Sequence, residues 1–162
     1  MEIKKLFWLG LSGLACNAVA QVPFGDPNWK ESEAPPPPAF NKDKLLPIKM
    51  PSYVSLQLGV DPATLSITPD GITRYVVVAS SPSGVLTGLY EGIQCANWTV
   101  KTYARYSANG PWSWVQDPQW LPLNGSLPSK HAIALARQGV CENGANAASS
   151  VANIVQSLKN QY

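Results

Sequence analysis

DGITRYVVVASSPSGVLTGLYEGIQC, residues 70–95, sets the architecture of this chain. Asp70-Gly71 is a turn pair, because glycine takes the left-handed backbone that a tight hairpin needs, and Tyr75-Val76-Val77-Val78 behind it is a run of strand formers. With Leu65 to Thr68 ahead of the turn, the pattern predicts a hairpin whose second arm runs from Ile72 to Ala79. Ser81-Pro82-Ser83-Gly84 is a second turn and Val85 to Cys95 the next strand. On either side, Tyr53 to Val60 alternates weakly, and Trp98 to Ser107 predicts a further strand. Ala108-Asn109-Gly110-Pro111 breaks that strand before the short aromatic stretch Trp112 to Val115. Strands that follow one another through short turns favour an antiparallel meander.

The last third changes period. Ser129 fits the N-cap of a helix from His131 to about Val140, and Val151, Ile154, Val155 and Leu158 recur at helical spacing. Strands segregated from helices give the α+β class: an antiparallel β-sheet meander packed by C-terminal helices.

The first twenty residues read as an export signal. Lys4 and Lys5 precede the apolar run Leu6 to Ala15, which is shorter than the roughly 20 residues a membrane span takes. Ala18-Val19-Ala20 is the small-x-small pattern of a signal peptidase site, so cleavage leaves Gln21 at the new terminus and a periplasmic product. A second processing route is open at Gly13-Leu14-Ala15-Cys16, which resembles a lipoprotein box and would anchor the chain through acylated Cys16. No other stretch reaches spanning length, so the mature chain is expected to carry no transmembrane segment.

Between Gln21 and Pro51 lie eight of the 15 prolines, including Pro35 to Pro38. Such a segment cannot donate enough backbone hydrogen bonds for a helix or sheet and is expected to be an extended proline-rich arm or linker. Two outcomes are open for Trp29 within it, docking on the domain or exposure. The chain thus divides into a signal peptide (1–20), the arm (21–51) and a compact α+β domain (52–162).

Composition narrows the function classes. The 162 residues carry 12 basic and 10 acidic side chains, a net charge of +2, too mild to point to nucleic acid or an anionic membrane. One histidine excludes multi-histidine metal sites. No cofactor is expected. Of the three cysteines, Cys16 belongs to the targeting segment, which leaves Cys95 and Cys141. An isolated pair in an oxidising compartment is expected to form a structural disulfide. A redox pair would want the Cys-x-x-Cys spacing that lowers a thiol pKa, which is missing here.

Several short motifs carry a resemblance. Asp70-Gly71-Ile72-Thr73-Arg74-Tyr75, Ser81-Pro82-Ser83-Gly84 and Tyr90-Glu91-Gly92-Ile93-Gln94-Cys95, with Lys101, Tyr103, Trp112, Trp120 and Cys141 beyond, resemble the cryptic neisserial protein-like family of exported proteobacterial proteins. The likeness spans most of Trp29 to Cys141, and Tyr-Glu-Gly-Ile-x-Cys is its most specific part. It implies an envelope protein of Gram-negative bacteria, supports the disulfide and boundary readings, and names no substrate and no catalytic residue.

The polar residues inside those motifs read as structure. By strand alternation Arg74 shares a face with Ile72 and Val76, and Glu91 with Leu89, Ile93 and Cys95, so each charge sits on an apolar face. If those faces meet, Arg74 and Glu91 form a structural ion pair that fixes register. As chemistry, Glu91 would be a general acid or base, but no second acid or nucleophile stands near it in sequence. His131 with Ser129 and an aspartate formally allows a Ser-His-Asp set, yet the Gly-x-Ser-x-Gly elbow is missing. Six rings fall between Trp98 and Trp120, of which alternation makes Tyr103 the exposed one on its strand. Tyr103, Trp112 and Trp114 are therefore the expected ligand contacts of a glycan or peptide site. The expected role is a non-catalytic periplasmic or surface-associated module with an envelope protein or cell-wall component as partner. Binding through exposed aromatics is the alternative, and a hydrolase using Glu91 or His131 the third reading.

Overall fold

The computed structural model describes residues 28–108, 110–144 and 146–161. The expected signal segment, with Cys16 and the cut after Ala20, lies outside the described residues. Three long strands form the centre: β4 (Ile72–Ser80), β5 (Leu86–Gln94) and β6 (Thr99–Ser107) pair antiparallel in chain order. Shorter strands extend them. β1 (Leu46–Pro47) pairs with β2 (Gln57–Val60), β2 with β4, β3 (Ser66–Ile67) with β4, and both β7 (Ser113–Trp114) and β8 (Leu121–Pro122) with β6.

The expected turns close the hairpins. Gly71 takes φ +82°, a left-handed value that suits glycine, and Thr68 Oγ1 and the Ile72 backbone bond across the turn. Between β4 and β5 the five residues 81–85 close with Ser81 N donating to Val85 O. The odd loop length matters, because it pairs even-numbered residues with even-numbered ones: Arg74 faces Gly92, and Tyr75 faces Glu91.

A β-bulge interrupts the β5–β6 ladder, where Tyr90 pairs with Ala104 but Glu91 with Thr102. Tyr103 is the extra residue, and the face of β6 inverts across it. Val100 and Thr102 point to the helix side, while Lys101, Tyr103, Ala104 and Tyr106 point to the other.

Each sheet face has its own cover. On one lie α1 (His131–Leu135), a wider π-helical continuation (Ala136–Val140) and α2 (Val151–Lys159), and they bury Tyr75, Val77, Ile93 and Val100 under Leu135, Val140, Ile154 and Leu158. Ser150 caps α2 by accepting from Asn153 N. Ser129 does not cap α1, a role expected of it; Lys130 holds that position without a side-chain capping bond, and the Ser129 hydroxyl turns to His131 instead. The two helices meet closely at Gly139, whose φ is +140° and where a Cβ would stand 2.5 Å from Ser157 Cβ. A strand pair, β9 (Cys141–Glu142) and β10 (Asn146–Ala147), links the helical segments. Cys95, just past β5, bonds Cys141 with a Cα–Cα distance of 5.6 Å, inside the usual range for a disulfide.

The second face is covered by chain from before β1. Residues 28–41 carry no helix or strand and lie on the sheet as a strap. Ala34, Phe40 and Leu45 pack over Val76, Val78, Tyr90 and Ala104. Trp29 docks: its indole N–H donates to Asp70 O and its ring meets Trp120 edge-on at 6.2 Å.

Candidate functional site

Glu91 and His131 meet under the first turn of α1. The His131 Nε2 lies 2.7 Å from Glu91 Oε2, and its Nδ1 lies 2.7 Å from Ser129 Oγ. Tyr75 Oη donates to the same carboxylate at 3.0 Å and Thr102 Oγ1 at 3.0 Å, so Glu91 gathers three donors from β4, β6 and α1. Both charged residues are nearly inaccessible, Glu91 at 3% and His131 at 5%. Burial alone would raise the Glu91 carboxyl, but the His131 charge and the three hydrogen bonds outweigh it and hold the carboxyl below its ordinary range. Burial would likewise lower His131, and the Glu91 carboxylate reverses that, so the imidazole keeps its proton to higher pH than usual. Burial and the neighbouring carboxylate push the Tyr75 phenol well up. In its protonated form the ring donates to Glu91 on one side and to Ser129 on the other.

Arg74 is not the partner of Glu91. The register sets the two on opposite faces, and the Arg74 guanidinium donates to the strap carbonyls of Ser32 and Glu33. It also stands 5.5 Å from the Tyr103 ring centre. The expected structural ion pair is thus replaced by two separate arrangements, Glu91 with His131 and Arg74 with the strap.

Glu31 of the strap has its own pocket. Its carboxylate accepts from Lys101 Nζ, Tyr103 Oη at 2.9 Å and Trp120 Nε1 at 3.1 Å. Tyr103, expected to be exposed, is 3% accessible because the bulge turns it under the strap. Burial raises its phenol, and the bond to Glu31 adds to that. Trp112 is half-buried against Phe40 and Tyr106. Of the three expected contact rings only Trp114, at 53%, stands exposed. An aromatic platform of the expected kind is therefore reduced to one ring.

A different feature emerges beside His131. α1 begins over the Tyr75–Glu91–Thr102 row and runs away from the hairpin end; beyond it come Leu89 and Arg105 beside the buried Val77, and then the Ala79–Thr87–Ser107 row. They floor a groove of about 450 Å³, with Leu56 and Leu58 on one side and Ser129 and His131 at the helix end. A smaller hollow of about 180 Å³, lined by Val100, Leu121, Leu127 and Ala132, shares Leu89, Arg105, Ser129 and His131 with it. Nothing in the sequence marked this groove, although Leu89 and Arg105 share a face on adjacent strands once the bulge is known.

Among the described residues no group of three or more His, Cys, Asp or Glu side chains is placed to hold a metal, and no helix is long and apolar enough to cross a membrane. The sequence model of the CNP1-like family matches residues 24–159, most of the chain. No curated protein and no solved structure matches it.

Proposed function

The chain belongs to the CNP1-like family, and on that premise we propose that it is an exported, non-catalytic binding module of the bacterial envelope. The groove at the hairpin end of the helix-side sheet face is the observation that carries this reading. Its apolar floor, single arginine and hydroxyl-bearing rim have the make-up of a small-ligand site, in which apolar walls supply affinity and a few polar groups supply orientation.

Catalysis is the weaker reading, for a reason of proton accounting. A histidine acting as general base must be neutral and free to reach a substrate, whereas His131 uses both nitrogens inside the protein and is biased toward its cationic form. Ser129 then accepts a hydrogen bond from the protonated ring, the reverse of what an activated nucleophile needs. Glu91 spends three of its roughly four lone-pair sites on donors inside the protein. The centre acts as a clamp that fixes α1 to the sheet and so fixes the end wall of the groove. Export is supported by the Lys4-Lys5 start, the apolar run and Ala18-Val19-Ala20, and by a cysteine pair suited to an oxidising compartment.

Photocrosslinking in growing cells tests the reading. A photoreactive residue at Thr87, exposed on the groove floor, is expected to give a discrete adduct with an envelope component, and the same residue at Lys159 on the far end of α2 is not. Absence of any adduct at Thr87 beyond that at Lys159 overturns the assignment of the groove.

A further inference from the structure

We propose that the groove takes a single-chain aliphatic carboxylate, a free fatty acid laid along the sheet with its head on Arg105; this rests on the binding reading above. The floor is aliphatic, formed by Ala79 and Leu89 over the buried Val77. Leu56 and Leu121, 44% and 47% exposed, line the groove and the adjoining hollow respectively. Large apolar side chains left in water around a recess mark a place where apolar matter is received.

Arg105 supplies the charge. It lies in the wall common to both hollows, and among the described residues its guanidinium makes no hydrogen bond or ion pair. Arg105 is exposed, whereas Arg74 and Lys101, the other cations on β4 and β6, are engaged by the strap carbonyls and by Glu31. A free planar cation beside an aliphatic trough complements a bidentate anion that carries a hydrocarbon tail. The volumes fit a small molecule and exclude a folded domain. A bilayer surface would require a projecting apolar face, and this one is recessed, so the free acid is favoured over a membrane lipid.

Calorimetric titration of the purified protein with octanoate, decanoate, dodecanoate, dodecanol and phosphatidylglycerol vesicles tests the proposal. Affinity is expected to rise roughly tenfold for each two carbons added, as methylene burial predicts. Dodecanoate is expected to outbind dodecanol by about tenfold, and Arg105→Gln to erase that preference while leaving dodecanol unchanged. Leu56→Asp, at an exposed position that folding tolerates, is expected to flatten the chain-length series. Equal binding of acid and alcohol overturns the proposal while leaving the groove a binding site. Binding to vesicles without binding to monomeric dodecanoate overturns it in favour of a membrane surface. No binding by any probe overturns it together with its aliphatic premise, and the Thr87 crosslink then decides whether the groove serves another ligand.

Discussion

His131 Nε2 and Glu91 Oε2 stand 2.7 Å apart between α1 and the middle strand of the sheet, both nearly inaccessible to solvent. Two opposed pH dependences follow. Glu91 titrates below its ordinary 4.5 in the folded protein, so its contribution is present above that value and is lost as pH falls through the lowered pKa. His131 titrates above its ordinary 6.5, so its contribution is complete below 6.5 and is lost as pH rises through the raised pKa. The pair therefore contributes most between pH 4.5 and 6.5. Denaturant unfolding across pH is expected to show that maximum. His131→Gln is expected to cost about 3–5 kcal/mol there, the usual penalty for breaking a buried pair, and to remove the alkaline decline.

Gly92 is the tightest point of the Tyr-Glu-Gly-Ile-x-Cys motif. A Cβ there would lie 2.6 Å from Tyr103 Oη and 2.8 Å from Ile72 Cγ2. Gly92→Ala is expected to destabilise by about 1–3 kcal/mol through overpacking, measured by thermal unfolding. Adding Tyr103→Phe, which removes the nearest atom, is expected to recover part of the loss. Equal stability of Gly92→Ala and wild type would count against the packing described.

The strap is held by specific bonds and not by sequence proximity. Glu31→Ala removes the acceptor shared by Lys101, Tyr103 and Trp120, and is expected to cost about 1.5–3 kcal/mol, the range for hydrogen bonds to a charged group. Hydrogen exchange is expected to quicken along residues 28–41 and in the middle of β6, and to change little in α2. Uniform quickening would show instead that the strap and helices unfold as one unit.

Reduction of Cys95–Cys141 opens a loop of 46 positions. The chain-entropy relation gives about 4 kcal/mol for a loop of that length. The double variant Cys95→Ala/Cys141→Ala is expected to unfold at correspondingly lower denaturant, and an unchanged midpoint would sink the structural role.

Much of this fold was legible in residues 70–95, because turn chemistry and strand composition act locally. Asp70-Gly71 and the valine run gave the hairpin, and the cysteine count gave the disulfide. The Arg74–Glu91 pair failed on parity: a five-residue loop puts even residues opposite even ones, so 74 and 91 cannot share a face. That signal was present in the spacing from Ser81 to Val85. The bulge at Tyr103 had no such signal, since a single extra residue depends on the partner strand, and it inverted the expected exposure of the β6 rings. The strap was equally hidden. Its prolines forbid a ladder, but they leave backbone carbonyls free, and the Arg74 guanidinium takes two of them. The groove lies where it does because α1 begins at the Glu91 row and runs away from the hairpin end, a tertiary fact that no local pattern encodes.

Amide chemical-shift mapping of the purified protein during titration with dodecanoate bears most closely on whether the groove is the working surface. Saturable shifts confined to Val77, Thr87, Leu89, Arg105 and Ser129 are predicted, with Ser32, Lys101 and Trp114 on the strap face unmoved. Shifts centred on Trp114 and the strap, or none that saturate, would contradict the assignment.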